Sequence, residues 1–151
     1  QAEDGIRAVE RSRGLGDVYK RQTLDLCKKN SMEYMAFSPT AQGLLARPMK
    51  ENDLKMPTRK MHHLFQPSTY PAAKKVWETV RNIANEIKRE PVEVAVAWVL
   101  KQENIFTAIV GSRNPEQVEE FASAADLELS RDHLSRLTES SNMFPAVKAR
   151  K

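Results

Sequence analysis

Residues 107–121 read TAIVGSRNPEQVEEF, a short β-branched run, a Gly-Ser-Arg turn and a helix opened by Asn-Pro. Thr107, Ile109 and Val110 have strand character, and Gly111 ends the strand. Asn114 is a preferred N-cap, Pro115 suits the first helical position, and Gln117 sits where a capping box needs it. Val118, Phe121, Ala122 and Ala125 then recur at helical spacing, which predicts one apolar face. A strand that feeds a helix N-terminus through Gly-Ser-Arg can bind an anion: free backbone N–H groups, the Ser112 hydroxyl and the Arg113 guanidinium can converge on one phosphate. An ordinary strand-to-helix connection with a solvated arginine fits the same residues.

The rest of the chain narrows these alternatives. Its 151 residues suffice for one domain with a core, and 40% hydrophobic with 29% charged residues is a globular composition. A single cysteine, Cys27, excludes an internal disulfide framework and offers no zinc spacing, so a reducing, cytoplasmic location is expected. No apolar run reaches membrane-spanning length and no signal-peptide core opens the chain, so no membrane partner is expected. A net charge of +4 suits an anionic small ligand. The basic residues are spread over several elements rather than gathered in a stripe, which argues against a nucleic-acid partner.

Three regions follow from the composition: a junction over residues 1–22, a domain over residues 23–141, and a basic tail over residues 142–151. Within the first, residues 1–9 read as a helix end, a stop at Gly5 and the start of a strand. Residues 12–22, SRGLGDVYKRQ, show neither helical nor alternating apolar periodicity, and the string resembles a translated adaptor or assembly artefact. Gly14-Leu15-Gly16 is too short for a phosphate loop and lacks a strand-then-helix frame. The string carries Arg13, Lys20 and Arg21 against Asp17, so half of the net charge comes from it.

From Thr23 the pattern is coherent. Leu24, Leu26 and Cys27 predict a helical turn ending near Asn30, and Tyr34–Phe37 a buried strand closed by Ser38-Pro39. A long polar loop is expected up to about Tyr70, with Pro48, Pro57, Pro67 and Pro71 and no periodic apolar face. Residues 73–88 predict an amphipathic helix with Val76, Trp77, Val80, Ile83, Ala84 and Ile87 inward and Trp77 as a core anchor. After Glu90-Pro91, residues 92–101 form a helix apolar nearly all round, as between a sheet and an outer helix. Ser130 is the expected N-cap of a last helix over residues 131–139. This alternation indicates an α/β class of parallel βαβ units. Two strands cannot close a sheet, so part of the fold is expected to be missing.

Residues 37–45 (FSPTAQGLL) and 111–117 (GSRNPEQ), at their observed separation, resemble the aldo/keto reductase family. The first is similar to the loop after that family's seventh strand and the second to its NADP-binding segment after the eighth; the resemblance covers residues 23–141. Residues 1–9 also resemble the stretch before the sixth strand, which implies native sequence missing before Thr23. The implied fold is the C-terminal part of a (β/α)8 TIM barrel, incomplete, whose ligand loops lie at the carboxyl ends of the strands. The implied cofactor is NADP(H) and the implied substrate of the intact protein a small-molecule aldehyde or ketone.

The resemblance also implies individual roles. Phe37 stacks on the nicotinamide, and Ser38, Pro39, Thr40, Ala41 and Gln42 line the ribose and pyrophosphate path. Arg59 closes over the pyrophosphate. Gly111, Ser112, Arg113 and Gln117 hold the adenosine end, with Ser112 and Arg113 nearest a 2′-phosphate, and Glu120 reaches the adenine. The chain departs from the family pattern at Thr40, where Leu is common, at Pro48, where Lys is frequent, and at Phe121, where Asn is frequent. At Pro48 the resemblance implies a pyrophosphate contact that is either lost or shifted to Arg47 or Lys50. No segment matches the family's catalytic Asp, Tyr, Lys and His. Tyr34 and Tyr70 lack the required neighbours, His62 and His63 read as solvated, and His133 reads as a surface residue. The expected activity is therefore a fragment's: cofactor binding without turnover. A nucleotide-sensing module of the same superfamily is the alternative.

Overall fold

The computed structural model describes residues 18–143, with side chains from Leu24 onward except at Thr58. Expectations for residues 1–17 and 144–151 lie outside the described residues. The elements in order are α1 (Val18–Lys29), β1 (Tyr34–Phe37), α2 (Glu51–Lys55), α3 (Pro57–Lys60), a 3-10 turn (His63–Phe65) and α4 (Tyr70–Ile87). Then follow α5 (Pro91–Leu100), β2 (Ile105–Ile109), α6 (Pro115–Ser123), a second 3-10 turn (Ala124–Asp126) and α7 (Arg131–Asn142). Helix α1 begins inside the string that resembles an artefact, so residues 18–22 are helical despite lacking an apolar period.

β1 and β2 are parallel neighbours. Parallel strands cannot be joined by a hairpin, so the intervening helices form a crossover. The register pairs Tyr34 with Ile105, slips by one residue, and continues with Met35–Thr107, Ala36–Ala108 and Phe37–Ile109. Tyr34 and Ala36 are buried with Cys27 and Val99, and Leu24, Ile105 and Ala108 pack against them. Alternation turns Met35 and Ile109 to the other face, where they are 51% and 50% exposed.

The main core is helical. Val76, Trp77, Val80, Ile83 and Ala84 of α4 meet Val94, Ala95, Ala97 and Trp98 of α5, together with Leu127, Leu129 and Leu137. Each fully buried aliphatic side chain there stabilises by roughly 1.5–3 kcal/mol. α4 starts three residues before the predicted helix, with Pro71 in its first turn, and ends in a Schellman-type cap. Lys88 lies at φ 55°, and Arg89 N donates to the Ala84 carbonyl at 2.9 Å.

The expected long loop is a correction. It folds into α2, α3 and a 3-10 turn, and Leu64 enters the core at 1% exposure with Met49 and Phe65 packed beside it. The segment has no apolar period because isolated anchors, rather than a stripe, hold it. Polar bonds supply the rest: Gln66 Nε2 donates to the Lys60 carbonyl at 2.7 Å, and Thr69 Oγ1 donates to the His63 carbonyl.

Candidate cofactor-binding site

Phe37 pairs with Ile109, so the connections after β1 and β2 leave the carboxyl ends of the parallel strands side by side. This pairing unites two segments that lie far apart in sequence.

The first connection, residues 38–46, is a tightly wound turn. Ser38 lies at φ 54°, Ala41 at 50°, Gln42 at 60° and Gly43 at 83°. Such values cost a non-glycine residue about 1–2 kcal/mol and persist only where the surroundings over-determine them. Here two sets of contacts do so. Pro39, Ala41, Leu44 and Leu45 are buried, the last three within the main core. Ala41 N donates to the Ser38 carbonyl at 3.0 Å, Gly43 N and Leu45 N to the Thr40 carbonyl at 3.0 and 3.1 Å, and Leu44 N to the Ala41 carbonyl at 3.2 Å. With the core side fixed, Gln42 is left exposed and Phe37, Ser38 and Thr40 half-buried.

The second connection is open. Gly111, Ser112, Arg113 and Asn114 are all exposed, and a Cβ added at Gly111 would meet nothing within 4 Å. Asn114 Oδ1 accepts the Gln117 N–H at 3.0 Å, the N-cap that the sequence predicts, while Gln117 Oε1 accepts the N–H of Arg113 at 2.8 Å rather than that of Asn114 as in a capping box. Gln117 is thus engaged in holding the Arg113 backbone. A shallow depression lined by Ser112, Arg113, Asn114, Pro115, Val118 and Glu119 lies at this helix end. Glu120 is half-buried, and its carbonyl accepts the Ser123 hydroxyl at 2.9 Å. Glu119, which the sequence reading passed over, faces the depression instead.

Arg59, in α3, reaches the first connection. Its Nη2 donates to the Gln42 carbonyl at 3.1 Å, and its Nη1 lies 3.2 Å from Asp53 Oδ1. Arg47 makes a bidentate pair with the same carboxylate at 2.7 and 2.9 Å, and Lys50 N donates to it at 2.9 Å. The Arg47 hydrogen bonds, then the Lys50 N–H, hold the Asp53 carboxyl well below the usual range, and Asp53 in turn raises Arg47. Sequence reasoning missed Asp53 because it lies six residues from each arginine, a spacing that marks no regular element.

Two histidine expectations are corrected. His62 is buried, its Nδ1 accepts the Leu64 N–H at 3.3 Å, and its ring stacks on His63 with centroids 4.6 Å apart. His133 is the third residue of α7's capping box and mostly buried, with Nε2 3.7 Å from Glu86. Among the described residues no group of three His, Cys, Asp or Glu side chains could hold a metal ion, and no helix is long and apolar enough to cross a membrane.

Known proteins resemble this chain in sequence and in fold. The chain is 32% identical over 113 residues to an uncharacterised oxidoreductase of Mycobacterium tuberculosis, covering 75% of this chain and 35% of that protein. It is 26% identical over 116 residues to the NADH-specific methylglyoxal reductase of Escherichia coli, covering 77% and 36%. A thermostable aldo-keto reductase solved with the inhibitor epalrestat superposes with a TM-score of 0.53 at 20% identity, over 78% of this chain and 32% of that one. The likeness places the chain in a (β/α)8-barrel architecture. The chain spans about a third of the length of these proteins. The model of the aldo/keto reductase family matches residues 14–142, a span that includes part of the string resembling an artefact. With that match over most of its length, the chain belongs to the aldo/keto reductase family.

Proposed function

We propose that this chain is the cofactor-holding portion of an NADP(H)-dependent reductase of small aldehydes and ketones. The Phe37–Ile109 pairing carries the reading, because it sets a pinned, strained turn beside an open cationic helix end. The residues present fit a dinucleotide phosphate. The exposed Arg113 guanidinium and Ser112 hydroxyl suit a 2′-phosphate, and the open space at Gly111 admits close approach to the backbone. Phe37, half-buried at the carboxyl end of β1, presents an aromatic surface for the nicotinamide, with Ser38, Pro39, Thr40, Ala41 and Gln42 along the ribose and pyrophosphate path. Glu120 contributes at the adenine end, and Gln117 contributes by fixing the Arg113 backbone.

Bound NADPH supplies a hydride for a carbonyl carbon. This chain's residues bind and orient; the group that protonates the carbonyl oxygen belongs to the remainder of a full-length member. Titration of the 151-residue chain and its Arg113→Glu variant with NADPH and with NADH tests the assignment. Loss of a charge-assisted phosphate contact weakens NADPH binding roughly tenfold or more, with a smaller loss for NADH. Equal losses remove Arg113 from the 2′-phosphate. Turnover of a generic aldehyde by the chain alone refutes the division between holding and catalysis.

A further inference from the structure

Arg59 presents an unusual use of a mostly buried guanidinium. Its side chain is only 12% exposed. One end is occupied by Asp53, through both the carboxylate at 3.2 Å and the backbone carbonyl at 3.4 Å, and Phe65 lies 5.8 Å from its centre. The other end donates to the Gln42 carbonyl, in the middle of the run Ala41, Gln42 and Gly43 that lies wholly at positive φ. A Cβ on Gly43 would come within 3.6 Å of Arg59 Nη2, so the guanidinium rests directly on that turn. Nothing in this geometry presents the cation to solvent as a free phosphate ligand would be presented.

We propose that Arg59 is a positioning residue that acts on the cofactor turn rather than on the cofactor: anchored by Asp53, it ties down the Gln42 carbonyl and keeps residues 41–43 left-handed. The proposal rests on the cofactor reading for its functional consequence and on the hydrogen bonds alone for its structural one. Asp53 serves as the counter-charge that makes this burial tolerable, and its carboxylate is itself fixed by Arg47 and the Lys50 N–H. The planar guanidinium can bridge a carboxylate and a carbonyl on opposite sides at once, whereas an ammonium on a flexible stem is a single point. Two non-glycine residues held at positive φ relax toward ordinary backbone once the bridge is lost.

The two roles predict opposite signs for one substitution. If Arg59 acts through the turn, Asp53→Asn frees its anchor, loosens the turn and weakens NADPH binding. If Arg59 were a phosphate ligand restrained by Asp53, the same substitution would release its charge and tighten binding. The full 151-residue chain and its Asp53→Asn, Arg59→Met and Arg59→Lys variants are compared by amide hydrogen exchange and NADPH titration. The amides of Ala41, Gly43, Leu44 and Leu45 report the turn, and those of α5 report whether a variant remains folded. Exchange faster by roughly tenfold or more at the turn in all three variants, with α5 unchanged, is the expected result. NADPH binding weakens several-fold alongside it. Unchanged exchange at the turn, rescue by Arg59→Lys, or tighter NADPH binding in Asp53→Asn overturns the proposal. Absence of NADPH binding by the parent chain removes the cofactor reading instead, and the exchange comparison then decides the structural claim by itself.

Discussion

Glu93 offers a quantitative test of how the helix bearing the candidate phosphate site is held. It is 6% exposed at the third position of α5. Its Oε2 accepts the Glu90 N–H at 2.8 Å, its Oε1 accepts the Ser123 hydroxyl, and Arg89 Nη1 lies 3.5 Å away. One carboxylate therefore caps α5, reaches the end of α6 and meets the residue that closes α4. Truncation to alanine removes a capping interaction of about 1 kcal/mol. Ser123 retains the Glu120 carbonyl as an acceptor, so losing the charged one costs about 1 kcal/mol more. The Arg89 side chain is 41% exposed, and solvent screening limits its share to a few tenths of a kcal/mol. Vacated volume adds about 1 kcal/mol, and relief of a buried charge offsets part of the total. Glu93→Ala should therefore destabilise by about 2–3 kcal/mol. Glu93→Gln keeps the shape and the Glu90 bond and should cost about 1 kcal/mol. Urea unfolding followed by tryptophan fluorescence measures both, since Trp98 shares the helix. A cycle with Ser123→Ala should show a coupling of about 1 kcal/mol. A Glu93→Ala loss below about 0.5 kcal/mol, the scale of an ordinary surface change, refutes the three-way role.

Two further predictions concern the first connection. Gly43 lies at φ 83°, with room for a methyl group beside Arg59, so Gly43→Ala should lose about 1 kcal/mol from backbone conformation alone in the same urea assay; a neutral result would mean that the turn relaxes without cost. The lowered pKa of Asp53 means that its stabilising pairing is fully present above the ordinary carboxylate range near pH 4 and is lost only as pH falls through the lower folded value. Carbon-detected titration should find the Asp53 carboxylate still ionised below the ordinary carboxylate range; protonation at the ordinary value contradicts the Arg47 pairing.

What could be read from the residues depended on which force shapes each part. α4 was legible because burial acts through a repeated stripe from Val76 to Ile83, and α6 because Asn114, Pro115 and Gln117 are local capping chemistry that needs no distant partner. Residues 46–69 were illegible for the opposite reason. Leu64 is a lone anchor, and Asp53 joins two arginines across irregular backbone, so no period records either contact. His62 and His133 read as solvated for want of sequence neighbours, yet one accepts a bond within its own turn and the other completes a cap. In residues 41–43 only glycine signals a left-handed backbone; Ala41 and Gln42 reach it because core burial on one side and Arg59 on the other leave no better conformation. The candidate site shows the same division. Each connection carries recognisable residues, but their adjacency depends on the parallel register that sets Phe37 beside Ile109. That register includes a one-residue slip after Tyr34, which changes the pairing downstream and puts the two connections level at the carboxyl ends of the strands. The slip makes Phe106 the extra residue of β2 and leaves it largely exposed, so the alignment of the two connections is coupled to an irregularity several residues away.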